Sequence, residues 1–232
     1  MRIDKNIFCS NFRGQFSKMR LVGIAAVMLS VSGCLKEILF LGLLVGGPPS
    51  IEPDFDKWTK SSMTDKGVTV VVVCFAPKEI LLNNFKVDQS LSKYVANRLH
   101  QHRIKVINPD RIFAWIDQNP NWERAVEIGE AFDVTYVINI DLQNYSLYEQ
   151  HSANLYRGRS QAHVQVWEMD QDGEGEKIYE KSLNSIYPLA APRPTSQESL
   201  STFRRKYLSR LSEEIGRLFY EFYNGDDMLD AI

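Results

Sequence analysis

The run VTVVVVCFA, Val68 to Ala76, has no polar face. β-Branched side chains dominate it, and they favour extended backbone because their Cβ substituents crowd a helix. A strand whose side chains are apolar on both faces has to be covered on both, as in a sheet with helices packed against it. The remainder of the chain must therefore supply amphipathic helices and further strands. With 44% hydrophobic and 24% charged residues among 232, it has the composition to build that core.

In FKVDQSLSKYVANRLHQH, Phe85 to His102, the apolar residues Val87, Leu91, Val95 and Leu99 recur every fourth position, and Tyr94 widens the stripe. That spacing predicts a helix with one face on the sheet. IKVINP then reads as a short second strand stopped by Pro109. Asn108-Pro109 and Asn119-Pro120 each set an N-cap residue before a proline suited to the first helical position, which predicts helices over about 109–117 and 121–132. Ile112, Phe113 and Ile116, then Val126, Ile128 and Phe132, would be their buried faces.

Three strands follow: VTYVINIDLQNYS from Val134, RGRSQAHVQVWEM from Arg157 and KIYEKSLNSIY from Lys177, the last two joined by a turn at Asp172 to Gly175. The closing helix has a capping box, Thr195-Ser196-Gln197-Glu198, and an apolar stripe from Leu200 through Leu211 and Ile215 to Phe222, ending at Asn224-Gly225. The order β-α-β-α-α-β-β-β-α predicts an α/β or α+β domain over 68–225, with a mixed sheet of about five strands and a short tail, 226–232.

The chain before this domain is of a different kind. Leu21 to Ser30 is apolar or small and follows Lys18 and Arg20, the length and charge order of a signal-peptide h-region and n-region, and too short to cross a bilayer of ~30 Å. Val31-Ser32-Gly33-Cys34 resembles the bacterial lipobox, in which small side chains flank the scissile bond and the cysteine thiol takes a diacylglycerol. On this reading residues 1–33 are a leader, with Met19 an alternative start, and the mature chain begins at a lipidated Cys34. A single transmembrane helix from Leu21 to Val45 is the competing reading, but it would bury Lys36 and Glu37 mid-bilayer at a few kcal/mol each. The ten-residue run ILFLGLLVGG cannot span alone, and the rest of 34–67, mixing Gly, Pro and charge, reads as a tether.

Charge and cysteine usage narrow the function. The net charge is −2, and the first 33 residues carry five basic side chains against Asp4, +4, so the mature chain carries −2 − 4 = −6. That balance offers no electrostatic footprint for nucleic acid. Three cysteines, with Cys9 in the leader, Cys34 at its end and Cys74 in the apolar strand, form no disulfide framework.

Two stretches carry a family resemblance. AVEIGEAFDVTYVINIDL, from Ala125, looks like the helix-then-strand segment, and VQVWEMDQDGEGEKIYEKS, from Val164, looks like the hairpin, of the envelope lipoproteins that include the curli-secretion channel protein and the lipoprotein activators of penicillin-binding proteins. The resemblance implies a non-enzymatic, partner-binding module that would associate with another envelope protein or with itself. The interval between Tyr145 and Tyr156 is too short for the long membrane-spanning hairpin of a secretion channel.

Candidate chemical sites are few. His100 and His102 would share a metal only if their helix had ended between them, and His151 and His163 have no Cys, Asp or Glu at ligand spacing. DQDGEGE, from Asp170, has acidic residues at alternate positions like a calcium loop, but Lys181 stands where the closing glutamate belongs. No serine lies in a G-x-S-x-G elbow. Hence no catalytic, cofactor or metal residue is assigned. Arg157 and Arg159, with Tyr145, Tyr148 and Tyr156, are the candidate partner contacts, set against a solvated sheet face and ordinary strand-end packing. The reading is a lipid-anchored, non-enzymatic envelope protein, outer-membrane and periplasm-facing. The alternative is an anchored enzyme or small-ligand binder, for which a pocket gathering several of His100, His102, His151, His163, Asp141 and Arg159 would speak.

Overall fold

The computed structural model describes residues 50–223 apart from Gln171. The leader, Cys34, the apolar run at 38–47 and the tail after Tyr223 lie outside the described residues.

Strand β1 is Ser50–Ile51 and helix α1 Asp54–Thr59; β2 is Val70–Phe75. Helices α2 (Lys78–Asn83), α3 (Val87–Gln101), α4 (Pro109–Gln118) and α5 (Ala125–Phe132) come before β3, Tyr136–Tyr148. Then β4 (Leu155–Met169), β5 (Gly175–Tyr187) and β6 (Arg193–Pro194) lead to α6, Leu200–Gly216, and β7, Phe222–Tyr223. The main sheet has five strands in the order β2-β3-β4-β5, with β6 also paired to β4. Its β2 and β3 are parallel, and β3, β4 and β5 run antiparallel. This is the mixed α+β architecture that the order of apolar patterns predicts.

The apolar character of β2 on both faces is explained by its two coverings. Val70 and Val72 join α3, α6 and Phe55 of α1 in the larger core, while Val71 and Val73 meet Ile112 of α4 and Ile128 of α5 in a second cluster. All four valines are at most 1% exposed. On β4 the alternation is clean: Tyr156, Gly158, Ser160, Ala162, Val164 and Val166 are buried under the helices, and the residues between them are not.

Several local expectations are corrected. IKVINP makes only one parallel bridge, Val70 to Val106, because Asn108 turns at once to cap α4 by accepting from the Asp110 N–H at 2.9 Å. The helix expected over 121–132 starts at Ala125: the Asn119 side chain donates back to the Trp115 carbonyl (2.8 Å), finishing α4, and Glu127 instead accepts from the Arg124 N–H at 3.0 Å. Helix α2 was not legible. The cap of α6 is Ser199, accepting from the Thr202 N–H at 3.2 Å, while Thr195 is drawn off to donate to the Asn154 carbonyl at 2.9 Å. The helix also stops at Gly216, where a Cβ would stand 2.7 Å from the Tyr220 ring, so the chain folds back and Phe222 enters β7.

The largest correction concerns the tether. Phe55 is fully buried and Met63 1% exposed, so the segment from Ser50 belongs to the domain. Phe55 lies edge-on to Tyr136 and Tyr179, each 5.6 Å away, and its N–H donates to the Leu218 carbonyl at 3.0 Å. Two core residues among prolines, lysines and aspartates leave no periodic signal.

Candidate functional site

The five candidate contact residues do gather where β3 turns into β4, but not as one exposed patch. Glu149 accepts from Arg157 Nη1 at 3.0 Å and from Arg159 Nη2 at 2.5 Å. Arg157 also donates to the carbonyls of Pro188 (3.3 Å) and Leu189 (2.8 Å), tying the hairpin to the segment after β5. The arginines share one sheet face, as their alternation predicts, yet they are half-buried and both paired with Glu149. The hydrogen bond from Arg159, that from the Gln150 N–H and that from Arg157 hold the Glu149 carboxyl down at about 2.

The tyrosines divide. Tyr145 and Tyr156 are each 5% exposed and belong to the core, Tyr145 against Tyr207 (5.6 Å between ring centres) and Tyr156 stacked on Phe203 (5.0 Å). Their placement corrects their assignment as contacts. Burial pushes the Tyr145 hydroxyl well above the ordinary tyrosine range. Tyr148 alone of the three presents its ring, at 39% exposure.

The histidines stand apart. His100 is exposed in the last turn of α3, and His102, just beyond the helix, stacks on Tyr220 at 3.5 Å. Burial lowers the His102 imidazole below its usual value, opposed by the Glu213 charge and aided by that of Arg98. His163 Nδ1 is 3.1 Å from Ser182 Oγ, and His151 sits in the hairpin turn at φ 59°. Among the described residues no three of His, Cys, Asp and Glu are placed to hold a metal ion. The calcium-like stretch is an Asx-type turn: Asp170 Oδ1 accepts from the N–H groups of Asp172 (3.0 Å) and Glu174 (2.9 Å).

A cleft of about 410 Å³ opens between α1 and the chain after α6, lined by Asp56, His102, Arg103, Tyr220 and Glu221 among others. Burial pushes the Asp56 carboxyl up, aided by Glu52, Asp65 and Glu221 and opposed by a hydrogen bond from Ser62. Of the six residues named for a converging site, this cleft takes in His102 alone, and a second of about 220 Å³ takes in His100 alone.

What sequence reasoning missed is the exposed apolar surface. Leu82 and Phe85 are 86% and 74% exposed at one end of β2, and Trp58 is 77% exposed at the other. For Trp58 there was a signal, a tryptophan between Lys57 and Lys60 in a segment without helical periodicity. Among the described residues no helix is long and apolar enough to cross a membrane.

No protein family matches the chain, and no curated protein does. Solved structures do, at low identity. The PelC dodecamer from Paraburkholderia phytofirmans is 12% identical over 74% of this chain and 96% of its own, with a TM-score of 0.39. Lipoprotein GNA1162 from Neisseria meningitidis is 14% identical over 64% of this chain and 97% of its own, TM-score 0.38. The LpoB C-terminal domain from Salmonella enterica is 11% identical over 56% of this chain and 94% of its own, TM-score 0.34. The likeness is one of fold, and the functional argument rests on this chain's own residues.

Proposed function

We propose that this protein is a lipid-anchored, non-enzymatic module of the bacterial cell envelope, acting as an assembly or regulatory factor by binding another envelope protein or a second copy of itself. The observation that carries this reading is Val31-Ser32-Gly33-Cys34 behind Lys18, Arg20 and the apolar Leu21 to Ser30. Acyl chains on Cys34 contribute ~0.8 kcal/mol per buried CH₂, so two or three of them anchor stably, and the apolar run at 38–47 adds a lipid contact beside them. Leu35, rather than aspartate, after the cysteine supports delivery to the outer membrane, facing the periplasm. In the domain that follows, Arg157 and Arg159 bind Glu149, His163 faces Ser182, and the cleft beside α1 takes in only His102 of the six residues named for a converging site.

The test is metabolic labelling with a fatty-acid analogue in cells producing the full chain. Label is expected on the wild type. Cys34→Ala should carry none and should accumulate as an uncleaved precursor. Equal labelling of both chains would place the anchor elsewhere and sink the reading.

A further inference from the structure

The end of the domain that carries β1, β7 and α1 has an aromatic surface left exposed among the described residues. Helix α1 is held firmly: Phe55 is buried beneath it, its N–H bonds to the Leu218 carbonyl, and Thr59 Oγ1 donates to the Phe55 carbonyl at 2.9 Å. Trp58 is thus fixed in place yet 77% exposed, with exposed Lys57 and Lys60 on either side. On the neighbouring pair, Tyr223 stands opposite Ser50 and is 50% exposed. Tryptophan and tyrosine combine an apolar body with a polar tip and concentrate at the membrane–water boundary, where lysines reach the headgroups.

The covalent chain says which surface covers this end. Fifteen residues, 35–49, separate Cys34 from Ser50, and ten of them form the apolar run at 38–47. With that run against the lipid, only Pro48 and Pro49 intervene before Ser50, a reach of ~10 Å. Trp58 lies eight residues further on, four of the steps helical, so it is no more than ~20 Å along the chain from Ser50.

From this we infer that the β1, β7 and α1 end seats on the membrane surface, with Trp58 at the level of the lipid carbonyls and Lys57 and Lys60 on the phosphates. This rests on the lipid-anchor reading. The exposed Leu82 and Phe85, at the opposite end of β2, then point away from the bilayer.

The experiment uses the full lipidated chain and its Trp58→Phe variant, each reconstituted in phosphatidylethanolamine–phosphatidylglycerol vesicles with and without brominated acyl chains. Flotation reports anchoring, and tryptophan emission reports depth. Both chains should float. Brominated lipid should remove more emission from the wild type than from Trp58→Phe, the difference being only the share that Trp58 contributes among the four tryptophans of the chain. Floating chains with equal losses and a Trp58 quenched by aqueous iodide would overturn the seat while leaving the anchor intact. A Trp58 shielded from both quenchers would overturn it in favour of a protein contact. Failure of the wild type to float would remove the anchor and the seat together.

Discussion

Glu149 shows what a single residue gathers in this domain, because it accepts from two arginines of the next strand, one of which, Arg157, also donates to two carbonyls after β5. Its folded value of about 2 against an ordinary 4.5 sets the direction of a pH effect. A depressed carboxylate contributes stability that is fully present above its unfolded value, and the contribution is lost as pH falls through the folded one. The stability difference between the wild type and Glu149→Gln, from urea titrations, should therefore be constant above about 4.5 and shrink toward pH 2. A difference that stays level over that window would show that the carboxylate is not held by the arginines. Sequence alternation correctly put Arg157 and Arg159 on one face. It could not show the other face of the same stretch, where Gly158 leaves room for the Tyr207 ring, 2.4 Å from where a Cβ would be, and Ser160 accepts from the Tyr207 hydroxyl at 2.8 Å. Arginine attracts attention as chemistry, while glycine and serine register a neighbour that is not adjacent in sequence.

Among the elements, α6 does what its stripe predicts, with Phe203, Tyr207, Leu211 and Ile215 all fully buried. Leu211→Ala should cost about 2–5 kcal/mol by guanidinium denaturation, a large part of the ~5–15 kcal/mol that holds a domain folded. Phe55→Ala should cost about 3–5 kcal/mol. Loss near zero for Phe55→Ala would return the segment from Ser50 to the role of a tether. Strands and long helices were legible because repeated apolar spacing accumulates evidence over many residues. Helices α1 and α2, six residues each, are shorter than two turns and offer no repeat to read. Asn119-Pro120 misled for another reason: an asparagine can finish one helix by donating to a carbonyl as readily as it can start the next by accepting an N–H, and the dipeptide alone does not say which.

At the scale of the whole molecule, the apolar order along the chain gave the layers, since a strand buried on both faces and helices with one stripe have few ways to stack. The site was less legible than the fold. Contacts made across the hairpin, such as Glu149 with Arg157, depend on a register that no local pattern states, and exposure of Trp58 depends on what happens not to pack over it. One feature of the fold reaches beyond this protein's own chain. Ser50 and Tyr223 are register partners, so the first and last described residues lie ~5 Å apart. A circular permutant that joins Tyr223 to Ser50 through two or three glycines, and begins at Glu174 in the exposed turn between β4 and β5, should keep its far-ultraviolet circular dichroism and melt within a few degrees of the residue 50–223 parent. Collapse of the permutant would mean that the β1–β7 pair does not form. In genetic terms the domain is a cassette: its coding sequence can be spliced into a surface loop of an unrelated host, whose two loop ends need stand no further apart than neighbouring strands.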